Sequence, residues 1–220
     1  GETPSIFTGR DQGSIAEAAW RLADNHELSW STDATQTFFD IYGVGTALNF
    51  PGFAYTETGS LITQFPLAYT AWLAGFVGWL GLAGYAIANT LLLLLAAWTF
   101  FELTHLFVRQ TISFIGALLF SLSFLPIWML HSTLSEHLAL TLFLVLAFGL
   151  INLRRHPTTL AWYLLTFLTA SLLLFTRIEG FVFFGITALI IAFTQPVRTF
   201  LLESPLKRLV IPFMILGFLF

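Results

Sequence analysis

Of 220 residues, 57% are hydrophobic, only 10% are charged and 25 are Phe, which is more apolar surface than one soluble core hides. The net charge of -3 gives no sign of a nucleic-acid partner, and the apolar excess makes membrane lipid the expected solvent and partner. Cysteine is absent, which excludes a disulfide framework, a thiolate metal site and a thiol nucleophile.

Residues 1–65 are polar and hold no run long enough to span a bilayer. They read as a membrane-flanking loop domain. Ser14 and Glu17 have the spacing of a capping box. Beyond them Ile15, Ala18, Ala19 and Leu22 share one helical face, with Trp20 beside it as an interfacial anchor, which predicts a short helix lying on the membrane. A second short helix is expected over 35–41, and the stretch 49–58, with Pro51 and Gly52, reads as turn or loop.

Residues 66–220 read as a transmembrane helical bundle, with apolar segments near 66–82, 84–108, 112–130, 136–153, 160–175, 178–195 and from 209 onward. The expected fold class is therefore all-α, a polytopic bundle with an external loop domain of short membrane-lying helices. A barrel is excluded because its strands would be ~10 residues of alternating polarity. Gly1 opens the chain without an initiator Met and the last run, 209–220, is too short to span, so the chain reads as part of a longer protein.

Basic connections set the orientation. Arg154, Arg155 and His156 form one cluster, Arg198, Lys207 and Arg208 another, with Arg109 alone; placing these inside puts the turns at 131–136 and 176–180 outside. Three segments separate the loop domain from the first of those turns. For both to face outward one segment must not cross, and 66–82, the shortest and interrupted by Gly75, Gly78 and Gly81, is the expected one.

Four places carry ionisable groups at a membrane boundary, where they are expensive. Asp11, between Arg10 and Gln12, precedes the predicted helix, and a loop carboxylate there has the chemistry of a general base; it equally reads as a solvated loop residue. In the turn His131–His137, Glu136 and His137 open the next helix, while Thr133 and Glu136 also fit a cap. His131 and His137 without helical spacing are a weak metal or phosphate signal. Arg177 offers a planar, permanently charged donor set suited to phosphate, and Glu179 either neutralises it or caps a helix with Thr176. Glu102 and His105, three apart on one helix, read as a structural pair.

In this order the motifs resemble the membrane-embedded glycosyltransferases of the C superfamily, such as the protein mannosyltransferases, the lipid A aminoarabinose transferase and, more remotely, the oligosaccharyltransferase catalytic subunit. Gly9-Arg10-Asp11-Gln12 with the helix after it is similar to the acidic motif of that family's first external loop, and Gln64-Phe65-Pro66-Leu67-Ala68-Tyr69 to the proline segment leading out of it. Pro126 followed by Ser135-Glu136-His137 resembles the second external acidic motif, and Thr176-Arg177-Ile178-Glu179 a later turn of Arg and acid.

The resemblance implies transfer of a sugar from a polyprenyl-phosphate donor to an acceptor protein, lipid or glycan at the external face of a multi-pass membrane protein. It implies Asp11 as catalytic base with Glu136 in the same chemistry. Arg177, with Arg10, would hold the donor phosphate, and Glu179, His131 and His137 would support. A second acid usual beside the loop Asp is Gln12 here, which weakens a divalent metal site, since one loop carboxylate holds such an ion poorly; no cofactor motif is present. From other classes, a transporter or lipid flippase and a non-catalytic membrane scaffold also place a few charges at membrane depth.

Overall fold

The computed structural model describes residues 10–43 and 52–194. Among these residues there are nine helices and three short strands, distributed over two compact units. The first unit holds the described chain as far as Leu91 together with Ile127–Ser135, and the second holds Leu92–Pro126 and the chain from Glu136 onward.

The first unit opens with α1, Arg10–Asn25. The helix begins at Arg10, five residues before Ile15, so the capping box predicted at Ser14 and Glu17 does not form. Ser14 is instead a buried interior residue, and the Glu17 carboxylate accepts from Arg21 one turn on, at 2.6 and 3.0 Å. Of the expected apolar face, Ile15, Ala18 and Ala19 are buried, with Ala16, and Leu22 is half-buried, while Trp20 stays exposed. Its small side chains let α1 pack closely on α3, Leu67–Leu80, whose Tyr69, Leu73 and Val77 are buried. At 14 residues α3 rises about 21 Å, short of the ~30 Å hydrocarbon core.

Between these helices, α2 spans Asp33–Tyr42 with a capping box at its start: Thr32 and Thr35 exchange side-chain and backbone hydrogen bonds. The described residues are mostly helical, as expected, with one small exception in this unit. β1 (Ser29–Trp30), β2 (Phe53–Tyr55) and β3 (Leu61–Thr63) form an antiparallel sheet in the order β1-β3-β2, so part of the stretch expected as loop over 49–58 is strand. Phe53 and Leu61 bury one face with Ala18, and Trp30 meets Phe53 edge-on at 4.7 Å. Two glycines in the left-handed region make the connections. Gly59, at φ +81°, closes the β2–β3 hairpin, and Gly52, at φ +83°, backs onto Ser14 so closely that a β-carbon would overlap its hydroxyl.

Of the described helices, α4 (Ala83–His105) and α7 (Ser135–Arg155) are long and apolar enough to cross a membrane. A third span exists if α5 (Gln110–Ser121) and α6 (Phe124–Leu130) count as one, although they bend by 54°. Pro126 explains the break: it has no N–H to continue the ladder, and its ring would meet the carbonyl of Leu122, four residues back. α8 (Leu160–Leu174) and α9 (Gly180–Phe193) are apolar and shorter, and they pack on each other in the second unit. Leu153, Tyr163, Phe167 and Ile191 form a core there, with Trp162 against it. Arg198, Lys207, Arg208 and the run 209–220 lie outside the described residues.

Candidate functional site

The charged turn between α8 and α9 is built by its backbone. The amides of Thr176 and Arg177 both donate to the Leu173 carbonyl, and Gly180 N–H returns to the Arg177 carbonyl at 2.9 Å. A β-carbon at Gly180 would stand 2.1 Å from that same Leu173 oxygen, so only glycine lets the two helices meet there.

This turn aims Arg177 at two carboxylates. Nε and Nη2 donate to the two oxygens of Glu179 at 3.0 and 3.1 Å, while Nη1 donates to Glu136 Oε1 at 2.5 Å. Glu136 comes from the first turn of α7, so the cluster joins segments distant in sequence. The bidentate hydrogen bond to Glu179, with the Glu136 contact, holds the guanidinium protonated far above any working pH. In return, Arg177 holds the Glu179 carboxyl below the usual carboxylate range. Three of five guanidinium N–H groups are used, leaving one each on Nη1 and Nη2. The side chain is 33% exposed, so those donors are accessible to an anionic oxygen from outside.

The helix-cap alternatives for these acids are not what the side chains do. Thr176 returns its hydroxyl to the Leu172 carbonyl, and Glu179, at the N-cap of α9, makes no side-chain cap bond. Thr133 donates its hydroxyl to the Gln12 carbonyl at 2.7 Å, and the Glu136 carboxylate is turned to Arg177. Glu102 and His105 do not appear as an ion pair among the described residues; the His105 ring stacks on Phe101 instead.

The other expected site residues are distributed as follows. Asp11 is exposed in the first turn of α1, where the helix dipole favours a negative charge. Arg10 starts that helix, and its side chain lies outside the described residues. His131, in the first unit, donates Nδ1–H to the Ile127 carbonyl at 2.8 Å. His137, on α7 in the second unit, is buried at 1% exposure. Glu136, Arg177 and Glu179 are thus brought together; Asp11, Arg10 and His131 belong to the other unit. Among the described residues no three His, Asp or Glu side chains are placed to hold a metal ion.

A buried polar network in the first unit escaped the sequence reading. Tyr69 donates to Asn89 Oδ1 at 2.7 Å, and Asn89 Nδ2 donates to the carbonyls of Ser132, at 2.9 Å, and Leu130. Tyr85 donates to the Ala16 carbonyl at 2.6 Å. With the Thr133 bond, these contacts fix the turn at 130–133 and the start of α1 within the unit that carries Asp11. The available signal was Asn89, a lone amide inside a long apolar run, since such a group is retained in a membrane helix only with partners. Comparison of the chain finds no matching family model, no matching curated protein and no matching solved structure.

Proposed function

We propose that the chain is the externally facing part of a membrane-embedded glycosyltransferase of the C superfamily, transferring a sugar from a polyprenyl-phosphate donor to a protein, lipid or glycan acceptor. The observation that carries it is Arg177, oriented by Glu136 and Glu179 with two donors to spare, at the end of two strongly apolar helices. A guanidinium held in one plane there suits a phosphate presented from a lipid surface.

In this reaction the acceptor oxygen or nitrogen attacks the anomeric carbon and its proton passes to Asp11. The bond from that carbon to the phosphate oxygen breaks, and the phosphate keeps the electron pair. Arg177 stabilises the charge that develops on the leaving group, an interaction stronger in the transition state than in the ground state. Glu136 and Glu179 orient Arg177, and Arg10 is a second candidate for the phosphate.

The test is transfer of labelled sugar from polyprenyl-phosphate donors in membranes carrying the full chain. Asp11→Asn should abolish transfer at unchanged protein level; full transfer would remove Asp11 as the base. The same ion cluster also suits a scaffold whose charges only clip helices together. Wild-type function in a Glu136→Gln, Glu179→Gln double variant would favour that reading, and passage of the lipid-linked sugar across the bilayer without transfer would favour a flippase.

A further inference from the structure

At the opposite end of α7, the second unit carries a feature that the transferase reading does not use. A groove of about 490 Å³ runs between α4 and α5, within the range of small-molecule pockets. Ala97 and Ala117 leave room along it, while Trp98, Phe101 and Phe114 line it. Trp98 and Phe114 are 64% and 62% exposed, so the groove is open along its side.

One end is flanked by Phe101 and Gln110, next to the four-residue connection 106–109. Two cations from different helices converge on that connection. Arg109 is the N-cap residue of α5. Arg155, in the last turn of α7, donates Nη2–H to the Leu106 carbonyl at 3.4 Å and holds its guanidinium 5.9 Å from the Phe107 ring. Arg154 precedes it in the same turn. Among the described residues of this unit the carboxylates are Glu102, Glu136 and Glu179; the last two are engaged by Arg177, leaving Glu102 alone against three arginines. Membrane orientation accounts for arginines at helix ends. It does not account for Arg155 being turned onto the connection that carries Arg109 and borders an open apolar groove.

We propose that this groove binds one anionic phospholipid, an acyl chain lying past Ala97 and Ala117 and the phosphate diester held by Arg109 and Arg155. The ligand's two halves match the two halves of the site: apolar length along the helices, excess positive charge at one end. The proposal needs α4 to lie in a membrane and is independent of the transferase reading, so failure of either leaves the other standing.

Trp98 is a built-in reporter. The full chain is placed in phosphatidylcholine vesicles containing acyl-brominated phosphatidylglycerol or, in a parallel set, acyl-brominated phosphatidylcholine, and the Trp98 signal is isolated by difference from Trp98→Phe. The brominated anionic lipid should quench Trp98 at lower mole fraction than the zwitterionic one. Each of Arg109→Gln and Arg155→Gln, both exposed and so harmless to folding, should weaken that preference about fivefold. Ala97→Leu with Ala117→Leu, which fills the groove and leaves the arginines, should abolish it. Equal quenching by the two lipids overturns the proposal, as does a preference that survives either set of substitutions. Absence of any Trp98-dependent quenching would mean that another protein segment covers the groove, and would overturn it equally.

Discussion

Glu136 Oε1 lies 2.5 Å from Arg177 Nη1, so the first turn of α7 is tied to the α8–α9 turn by an ion pair 41 residues apart in sequence. Both side chains are partly exposed, at 42% and 33%, and such pairs contribute roughly 1 kcal/mol or less to stability. Glu136→Gln should therefore leave thermal unfolding in detergent nearly unchanged while reducing sugar transfer, because Arg177 loses one of the two charged partners that orient it. Arg177→Lys should reduce transfer further, since an ammonium cannot reproduce the bidentate geometry to Glu179. Equal losses of stability and activity in both variants would count against a role at the reacting groups.

Gly180 is the position where the turn tolerates least. A β-carbon there meets backbone, not a flexible side-chain tip, so Gly180→Ala should destabilise by about 1–3 kcal/mol and displace Arg177 and Glu179 together. Gly185, five residues along α9, has nothing within 4 Å of an added β-carbon. Gly185→Ala should be neutral or stabilising by up to ~1 kcal/mol, as expected from helix propensity. Thermal unfolding of the two variants checks the contrast.

The carboxyl of Glu179 titrates below its ordinary range because Arg177 hydrogen-bonds and attracts its ionised form. A depressed folded-state value contributes stability that is fully present above the unfolded value of about 4.3 and is lost as pH falls through the lowered one. The difference in unfolding temperature between wild type and Glu179→Gln should thus be constant at neutral pH and shrink only in acid below about pH 4. A difference that shrinks between pH 6 and 8 would point to another group.

Much of this organisation was legible because apolar length and charge are local properties of sequence. The runs at 84–108 and 136–153 became α4 and α7, and the interrupted run at 66–82 became the short α3. The pairing of Glu136 with Arg177 was not legible: each acid sat where a cap was also expected, and only tertiary placement decides between the two. The sheet was missed because its strands are two or three residues long, too short for alternation to register against the surrounding turn residues. The start of α1 moved to Arg10 because packing against α3 and the Gly52 turn buries Ser14, overriding its capping preference.

Asn89 should be the most costly polar residue of the first unit to remove. Asn89→Ala removes the amide shared by the Tyr69 hydroxyl and two backbone carbonyls, at roughly 1–3 kcal/mol for the loss of such a buried donor and acceptor. Tyr69→Phe should therefore cost less in the Asn89→Ala background than in the wild type, because the bond between the two is already gone. A double variant worse by the full sum of its single changes would show that Tyr69 and Asn89 act independently.

Thr133 makes a finer test, because its hydroxyl donates to the Gln12 carbonyl, one residue from Asp11. Thr133 is 1% exposed, so Thr133→Val keeps the shape and removes only the donor, costing about 1 kcal/mol. The loss falls on the first turn of α1, where the Gln12 carbonyl is left with only the amide one turn on. Hydrogen exchange at residues 14–17, whose amides donate to the carbonyls of that turn, should accelerate in the Val variant and return to the wild-type rate in Thr133→Ser, while exchange along α8 is unmoved. If Asp11 is the base, transfer should fall with that loosening and recover with the serine, since the carboxylate's placement depends on the turn that carries it. Accelerated exchange with undiminished transfer would place the base elsewhere.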